Sequence, residues 1–245
     1  MKNILFALAL LISLSSFGQT PIANLNIIKT EDASINFDNI NTIDYNDVKV
    51  FVSDNIDLSK KVINRVESNN FYLAFIPDAL FYLKNDNNLI NNGIIRYDNS
   101  PEGDFLIFVS KGNPYKYVKF FQENNSFKIS QLMEKISENK WVQKEFYGRN
   151  GPLTEVGDGK LYEYEEYLVI KGDFVKSGLE IIYYPSGKIQ QVESGLRNPN
   201  PSDNTNGLFS ERYFYENGQL AMIKIYFNNK KIVRYWDENG EPLTK

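Results

Sequence analysis

From Asp47 onward the chain is written mostly in short blocks of alternating hydrophobic and polar residues. Val48, Val50 and Val52 fall on one side of an extended backbone and Lys49 and Phe51 on the other, which predicts a strand over 47–53. The pattern changes over 57–67. Leu58, Val62 and Val66 recur there at helical spacing with Ile63 beside them, Asp57 stands in a capping position, and Ser, Lys, Asn and Arg fill the other face. This segment predicts a short helix that ends at Ser68-Asn69-Asn70. Aromatic and aliphatic runs follow at 71–76, 80–83, 94–97, 105–110 and 115–121, separated by turn residues such as Pro77-Asp78, Asn99 to Gly103 and Lys111 to Pro114. Each run is too short for a helix and reads as a strand. The polar stretch 20–46 carries one further expected strand, near 25–28.

Beyond residue 115 the alternation becomes a meander of hairpins built on one recurring phrase: an aromatic pair, a spacer, Asn-Gly or Ser-Gly, then an aliphatic. The copies are Phe146-Tyr147 with Asn150-Gly151 and Leu153, Tyr183-Tyr184 with Ser186-Gly187 and Ile189, Phe214-Tyr215 with Asn217-Gly218 and Leu220, and Tyr235-Trp236 with Asn239-Gly240 and Leu243. Phe120-Phe121 followed by Asn124-Asn125 is a degraded earlier copy. Asn-Gly is the strongest short hairpin signal, because both central positions of a two-residue turn can take positive φ. The residues after each turn alternate again, as Ile223, Ile225 and Phe227 do against Lys224 and Tyr226. A single hairpin of this kind is marginal, so the copies must lie side by side to bury a ribbon of side chains. The segment 198–206, with Pro199 and Pro201, reads as a loop inserted into the series.

These residues resemble the MORN-repeat variant of bacterial YwqK-like antitoxin proteins, whose units run from Gly-Leu or Trp through an aromatic pair to Asn-Gly. Ser177-Gly178-Leu179 leads into Tyr183-Tyr184, Asn206-Gly207-Leu208 into Phe214-Tyr215, and Trp141 into Phe146-Tyr147. The resemblance covers about residues 115–243. It implies an all-β fold of consecutive antiparallel hairpins in an elongated twisted sheet, and contact with proteins or membrane surfaces rather than catalysis. No catalytic residue is carried over from it. The expected organisation is a signal peptide over 1–18, a β-rich region over 19–114 and a hairpin-repeat domain over 115–245.

Composition changes this picture in three ways. The net charge of −4 is spread along the chain, with no basic block larger than Lys60-Lys61 or Lys230-Lys231, which argues against nucleic acid as a partner. Lys2, the apolar run Ile4 to Leu14 and the small residues Ser15, Ser16 and Gly18 have the form of a secretory signal cleaved near Gly18, with Gln19 the expected new N-terminus. That run falls well short of the ~20 residues needed to span a bilayer, so no integral membrane segment is expected after cleavage. The chain contains no Cys and no His. Disulfides, thiol nucleophiles, lipid attachment through Cys, Ser-His-Asp triads and His-metal clusters are therefore excluded.

What chemistry remains rests on carboxylates and rings. Glu163, Glu165 and Glu166 stand among Tyr162, Tyr164 and Tyr167, and on a strand Glu163 and Glu165 share a face about 7 Å apart. Such a pair is the minimum for a glycosidase-type hydrolase. Asp98, Glu102 and Asp104 in a Pro/Gly turn, with Asp86 nearby in sequence, supply oxygen ligands of the kind calcium takes but in no EF-hand pattern. Rows of exposed Tyr can stack on sugars or on a partner protein. The expectation is an exported, non-catalytic repeat protein that binds a protein or glycan at the bacterial cell envelope, without a cofactor. An exposed edge strand would also support pairing between chains. An immunity or antitoxin role and an exported carboxylate-dependent hydrolase are the alternatives.

Overall fold

The computed structural model describes residues 34–35, 41–57, 62–68, 75, 77–100, 103–123, 126–148, 159–170, 172–195, 209–227 and 230–243. The strands are β1 (Ser34–Ile35), β2 (Ile43–Asp44), β3 (Val48–Asp57), β4 (Val62–Ser68), β5 (Leu80–Leu83), β6 (Asn92–Ser100), β7 (Gly103–Ser110), β8 (Asn113–Glu123), β9 (Ser126–Ser137), β10 (Lys140–Phe146), β11 (Leu161–Ile170), β12 (Asp173–Tyr183), β13 (Ile189–Gly195), β14 (Phe209–Phe214), β15 (Leu220–Phe227), β16 (Lys230–Trp236) and β17 (Pro242–Leu243). From β6 to β17 each strand pairs antiparallel with the next in sequence, so the chain meanders across an open 14-stranded sheet that β2 joins in parallel beside β6 and β1 joins on β9. A second, 3-stranded sheet has the order β4-β3-β5. The all-β expectation holds.

The helix expected over 57–67 does not form. Asp57 ends β3, and Val62–Ser68 is β4, which pairs back on β3 with Val52 opposite Val66 and Asp57 opposite Val62. The apolar residues of that segment are mostly β-branched. They lose side-chain freedom in a helix and suit a pleated surface, so a hairpin partner outweighs the helical spacing. Residues 58–61, with Leu58, lie outside the described residues, as do the strand expected near 25–28 and, apart from Phe75, the one over 71–76.

The two sheets pack through one core. Val48, Val50 and Val52, aligned by the alternation of β3, meet Ala79, Phe81, Ile90, Ile95, Ile107, Val109, Tyr117 and Trp141. Phe75 lays its ring against Phe105 and Tyr117 at centroid distances of 4.9 and 5.1 Å. Asn113 Nδ2 donates to the Ala79 carbonyl at 3.2 Å and fastens the small sheet to the hairpin between β7 and β8. A second cluster uses the alternate residues of the large sheet: Leu106, Val118, Phe120, Leu132, Val142, Phe146, Leu161, Tyr164, Ile181, Tyr183 and Val192.

Turns close at Tyr184–Lys188, Tyr215–Gln219 and Asp237–Glu241, and they are not two-residue turns with two left-handed positions. Ser186, Asn217 and Asn239 keep ordinary φ, and only the glycines are left-handed, at 83° for Gly187, 91° for Gly218 and 87° for Gly240. The Gly187 N–H donates to the Tyr184 carbonyl at 2.8 Å, and the Tyr184 N–H donates to the Lys188 carbonyl at 2.7 Å. The same two bonds close Tyr215 to Gln219 and Asp237 to Glu241. This is a type I turn finished by a left-handed glycine bulge. The Asn side chain serves as a local acceptor instead: Asn217 Oδ1 takes the Gln219 N–H at 2.9 Å. In the first copy the closing glycine is Gly159, at φ 76°, whose N–H donates to the Tyr147 carbonyl at 3.0 Å. Asn150 and Gly151, read from the sequence as that turn, lie outside the described residues.

The second aromatic of each of the first three pairs links neighbouring turns. The Tyr147 hydroxyl donates to the Tyr183 carbonyl at 2.6 Å, Tyr184 to Phe214 at 2.7 Å and Tyr215 to Trp236 at 3.0 Å. Each acceptor directly precedes the first residue of the next turn. The next place in the series belongs to Asp237, which has no phenol. Tyr184→Phe removes one link and leaves the Phe214 carbonyl short of a donor. It is expected to lower stability by about 0.5–1.5 kcal/mol in chemical denaturation, with the structure otherwise retained.

Candidate functional site

Strand register assembles the polar residues. One row of directly paired residues crosses the large sheet from β6 to β16: Ile95, Ile107, Tyr117, Met133, Gln143, Glu165, Glu180, Glu193, Glu211, Lys224 and Val233. Its first part belongs to the apolar core, where Ile95, Ile107 and Tyr117 are buried and Met133 packs against them. At Gln143 it turns polar, and four consecutive strands contribute glutamates. In the adjoining row Glu145 pairs with Glu163. Cross-strand neighbours lie ~5 Å apart, so like charges set this way destabilise a sheet unless something neutralises them.

Burial sharpens the problem, since Glu165, Glu180 and Glu193 are only 7%, 8% and 6% exposed. The sheet answers with its own donors. Lys176 forms ion pairs with both Glu165 and Glu180. The Tyr167 hydroxyl and Gln143 Nε2 donate to Glu165 Oε2. Gln131 and Gln143 donate to Glu145 at 3.0 and 3.1 Å, and Gln191 donates to Glu193 at 2.7 Å. Glu211 accepts from Lys224 at 2.7 Å and from Tyr213 at 2.9 Å. Burial works against ionisation of Glu211, but the bonds from Lys224 and Tyr213 hold its carboxyl below the usual range.

Glu163 titrates differently. Burial, then the charges of Glu165, Glu145 and Glu180, push its carboxyl up to about 8, and its hydrogen bond with Glu180 favours the protonated form further. Burial and Glu165 also raise Glu145. At neutral pH the cluster is therefore a chain in which the Glu163 proton meets Glu180 and the Lys176 ammonium lies between Glu180 and Glu165. Because the native state holds the Glu163 proton more tightly than the unfolded state, stability falls as pH rises from about 4.5 to about 8. Glu163→Gln keeps a donor toward Glu180 without the titration. The variant is expected to match the parent near pH 4.5 and to exceed it by about 1–3 kcal/mol above pH 8, after allowance for solvent screening, in urea titrations run across that range.

The sequence candidates are placed as follows. Glu163 and Glu165 do come together, and with Glu180 each offers an oxygen within 4.8 Å of the others; this is the one such grouping of three among the described residues. Lys176 already supplies it with a cation. Glu166 points to the other face, where it takes Lys140 at 2.8 Å and the Tyr164 hydroxyl at 3.2 Å. The calcium candidates are engaged locally or lie elsewhere. Asp98 pairs with Arg96 at 2.7 Å, Asp86 accepts from Asn88, and Glu102 lies outside the described residues. Many of the tyrosines face inward: Tyr117, Tyr147, Tyr164 and Tyr183 are buried.

Sequence reading missed Glu145, Lys176, Glu180, Glu193 and Glu211. A signal for the row was present. Gln143, Glu180 and Glu211 each stand four residues before the turn tyrosines Tyr147, Tyr184 and Tyr215, and Glu165, Glu193 and Lys224 each stand six residues after the turn glycines Gly159, Gly187 and Gly218. Beside the cluster, a pit lined by Lys176, Glu180, Glu193 and Phe209 has a volume of about 10 Å³, space for one water. No helix among the described residues is long and apolar enough to cross a membrane. Compared with known protein families and with curated proteins, the chain matches none.

Proposed function

We propose that this chain is an exported, non-catalytic repeat protein whose sheet presents a contact surface to a protein or glycan at the bacterial cell envelope. The observation that carries this reading is the state of the carboxylates. Glu145, Glu163, Glu165 and Glu180 are the groups most suited to acid-base chemistry, and they are bound to Gln131, Gln143, Tyr167, Lys176 and one another. The adjacent pit admits a water and not a sugar ring. The N-terminal segment with the form of a secretory signal supports export, and the hairpin meander with its repeated turn agrees with the MORN-like resemblance. In that resemblance the repeats serve contact.

One observation favours a hydrolase as the second reading. A carboxyl that keeps its proton to about pH 8 lies beside a second carboxylate, Glu165, each offering an oxygen within 4.8 Å of the other, and a glycosidase needs such a proton-holding acid paired with a carboxylate. The double substitution Glu163→Gln and Glu165→Gln separates the two. Affinity capture with the mature protein from envelope extract, together with turnover assays on glycoside substrates, is expected to show retained capture and no turnover in parent or variant. Turnover by the parent that the variant loses would replace the scaffold reading with the enzyme.

A further inference from the structure

We propose that the outer edge of β16 is a docking site for an extended acidic segment of a partner protein, which adds to the sheet as one more strand. This deepens the scaffold reading and rests on it. β17 pairs only with Tyr235 and Trp236, so among the described residues nothing pairs with that side of Lys230 to Arg234.

The direction of the free groups follows from the turn. The Asp237 N–H donates across to Glu241 at 2.9 Å, so the backbone groups of Asp237 and, two residues back, of Tyr235 face β17. By the same alternation Val233 and Lys231 face that side too, beyond the point where β17 stops. Lys230, Ile232 and Arg234 bond instead to Phe227, Ile225 and Ile223 of β15. The edge therefore presents two N–H and two C=O groups that no strand among the described residues pairs with, the template on which strand addition works.

Side chains select the occupant. Lys230, Ile232 and Arg234 share one face of β16 and are all exposed, with Ile232 at 45% and Phe227 beside them at 53%. Two copies of this edge paired antiparallel about Ile232 would set Lys230 against Arg234, a like-charge clash across the strands. An added strand reading acidic, apolar, acidic on that face meets opposite charge at both ends and an apolar contact between. The acidic turn residues Asp237, Glu238 and Glu241 at the far end confine that strand to Lys230–Arg234.

The test uses the mature protein and a capped Ser-Glu-Thr-Ile-Thr-Glu-Ser peptide, with its Lys-for-Glu counterpart, observed by NMR. Binding is expected to slow exchange of the Lys231 and Val233 amides and to favour the Glu peptide by roughly tenfold. Lys230→Glu with Arg234→Glu is expected to invert that preference. N-methylation of the two peptide threonines, which blocks the bonds to the edge without altering the protein, is expected to abolish binding. Binding that survives N-methylation overturns the proposal, as do shifts confined to other strands, self-association through β16 without peptide binding, and attachment to phosphatidylglycerol vesicles in place of peptide. If the charge-reversed protein still captures its envelope partner, the edge is not the docking site and the scaffold reading stands. If the parent captures nothing and turns over glycoside, the scaffold reading fails with it.

Discussion

Replacing Trp141 with alanine is expected to lower the unfolding free energy by about 3–5 kcal/mol, the upper end for a single truncation. Trp141 is fully buried and is among the largest side chains so enclosed. It stacks on Tyr117 at 5.6 Å, takes the edge of Phe174 at 5.2 Å, and joins strands of the large sheet to the core beneath the small one. A cavity there loses contacts from both layers, and the β-rich surroundings cannot collapse into it without breaking register. Among the described residues its indole N–H meets no hydrogen-bond acceptor. Trp141→Phe removes that unmet donor together with part of the ring, so its cost is expected near 1–2 kcal/mol. Urea unfolding of both variants checks the pair; a loss under 1 kcal/mol for alanine would contradict the described core.

Lys176→Ala is expected to cost about 2–4 kcal/mol at neutral pH, far more than its position on a sheet surface suggests. The ammonium is the cation for two carboxylates that are each nearly enclosed. Removing it strands like charges in strand-to-strand contact. Partial burial works against the charge of Lys176, but its hydrogen bonds to Glu165 and Glu180 raise its titration above the ordinary lysine range. The stabilisation is thus complete at neutral pH and is lost only as pH climbs through that raised value. Neutralising the partners as well, in Lys176→Ala with Glu165→Gln and Glu180→Gln, is expected to recover most of the loss, because no uncompensated charge is left inside. If the triple variant is as unstable as the single one, the lysine contributes by packing and not by charge.

The hairpin architecture was legible because period-two alternation and turn glycines are local signals, and Gly187, Gly218 and Gly240 sit where the phrase put them. Two readings failed for physical reasons. Leu58, Val62 and Val66 have helical spacing, yet the β-branched members found a partner strand in β3, and pairing outweighs spacing. Asn-Gly suggested a two-residue turn, but the paired strands carry one more residue through the bend, and glycine alone absorbs it. The glutamate row was hidden for a different cause. Glu165, Glu180, Glu193 and Glu211 are far apart in sequence, and only the register of three successive strand pairings aligns them. Offsets measured from the turns, rather than clusters of acidic letters, would have found Glu180, Glu193 and Glu211, whereas Glu165 keeps its offset only from Gly159, a turn glycine outside the repeated phrase.

The forward-reaching tyrosines give the meander a polarity. Each of these three phenols leans on the hairpin after it, so Tyr215 is anchored by the hairpin of β16 and β17, and Trp236 receives a bond without an equivalent phenol at Asp237 passing one on. Unzipping is then easiest from the carboxyl end: freeing β16 and β17 deprives Tyr215 of its acceptor, then Tyr184, then Tyr147. The sheet should peel hairpin by hairpin toward Trp141, with amide exchange fastest at the far tip and slowest beside the small sheet.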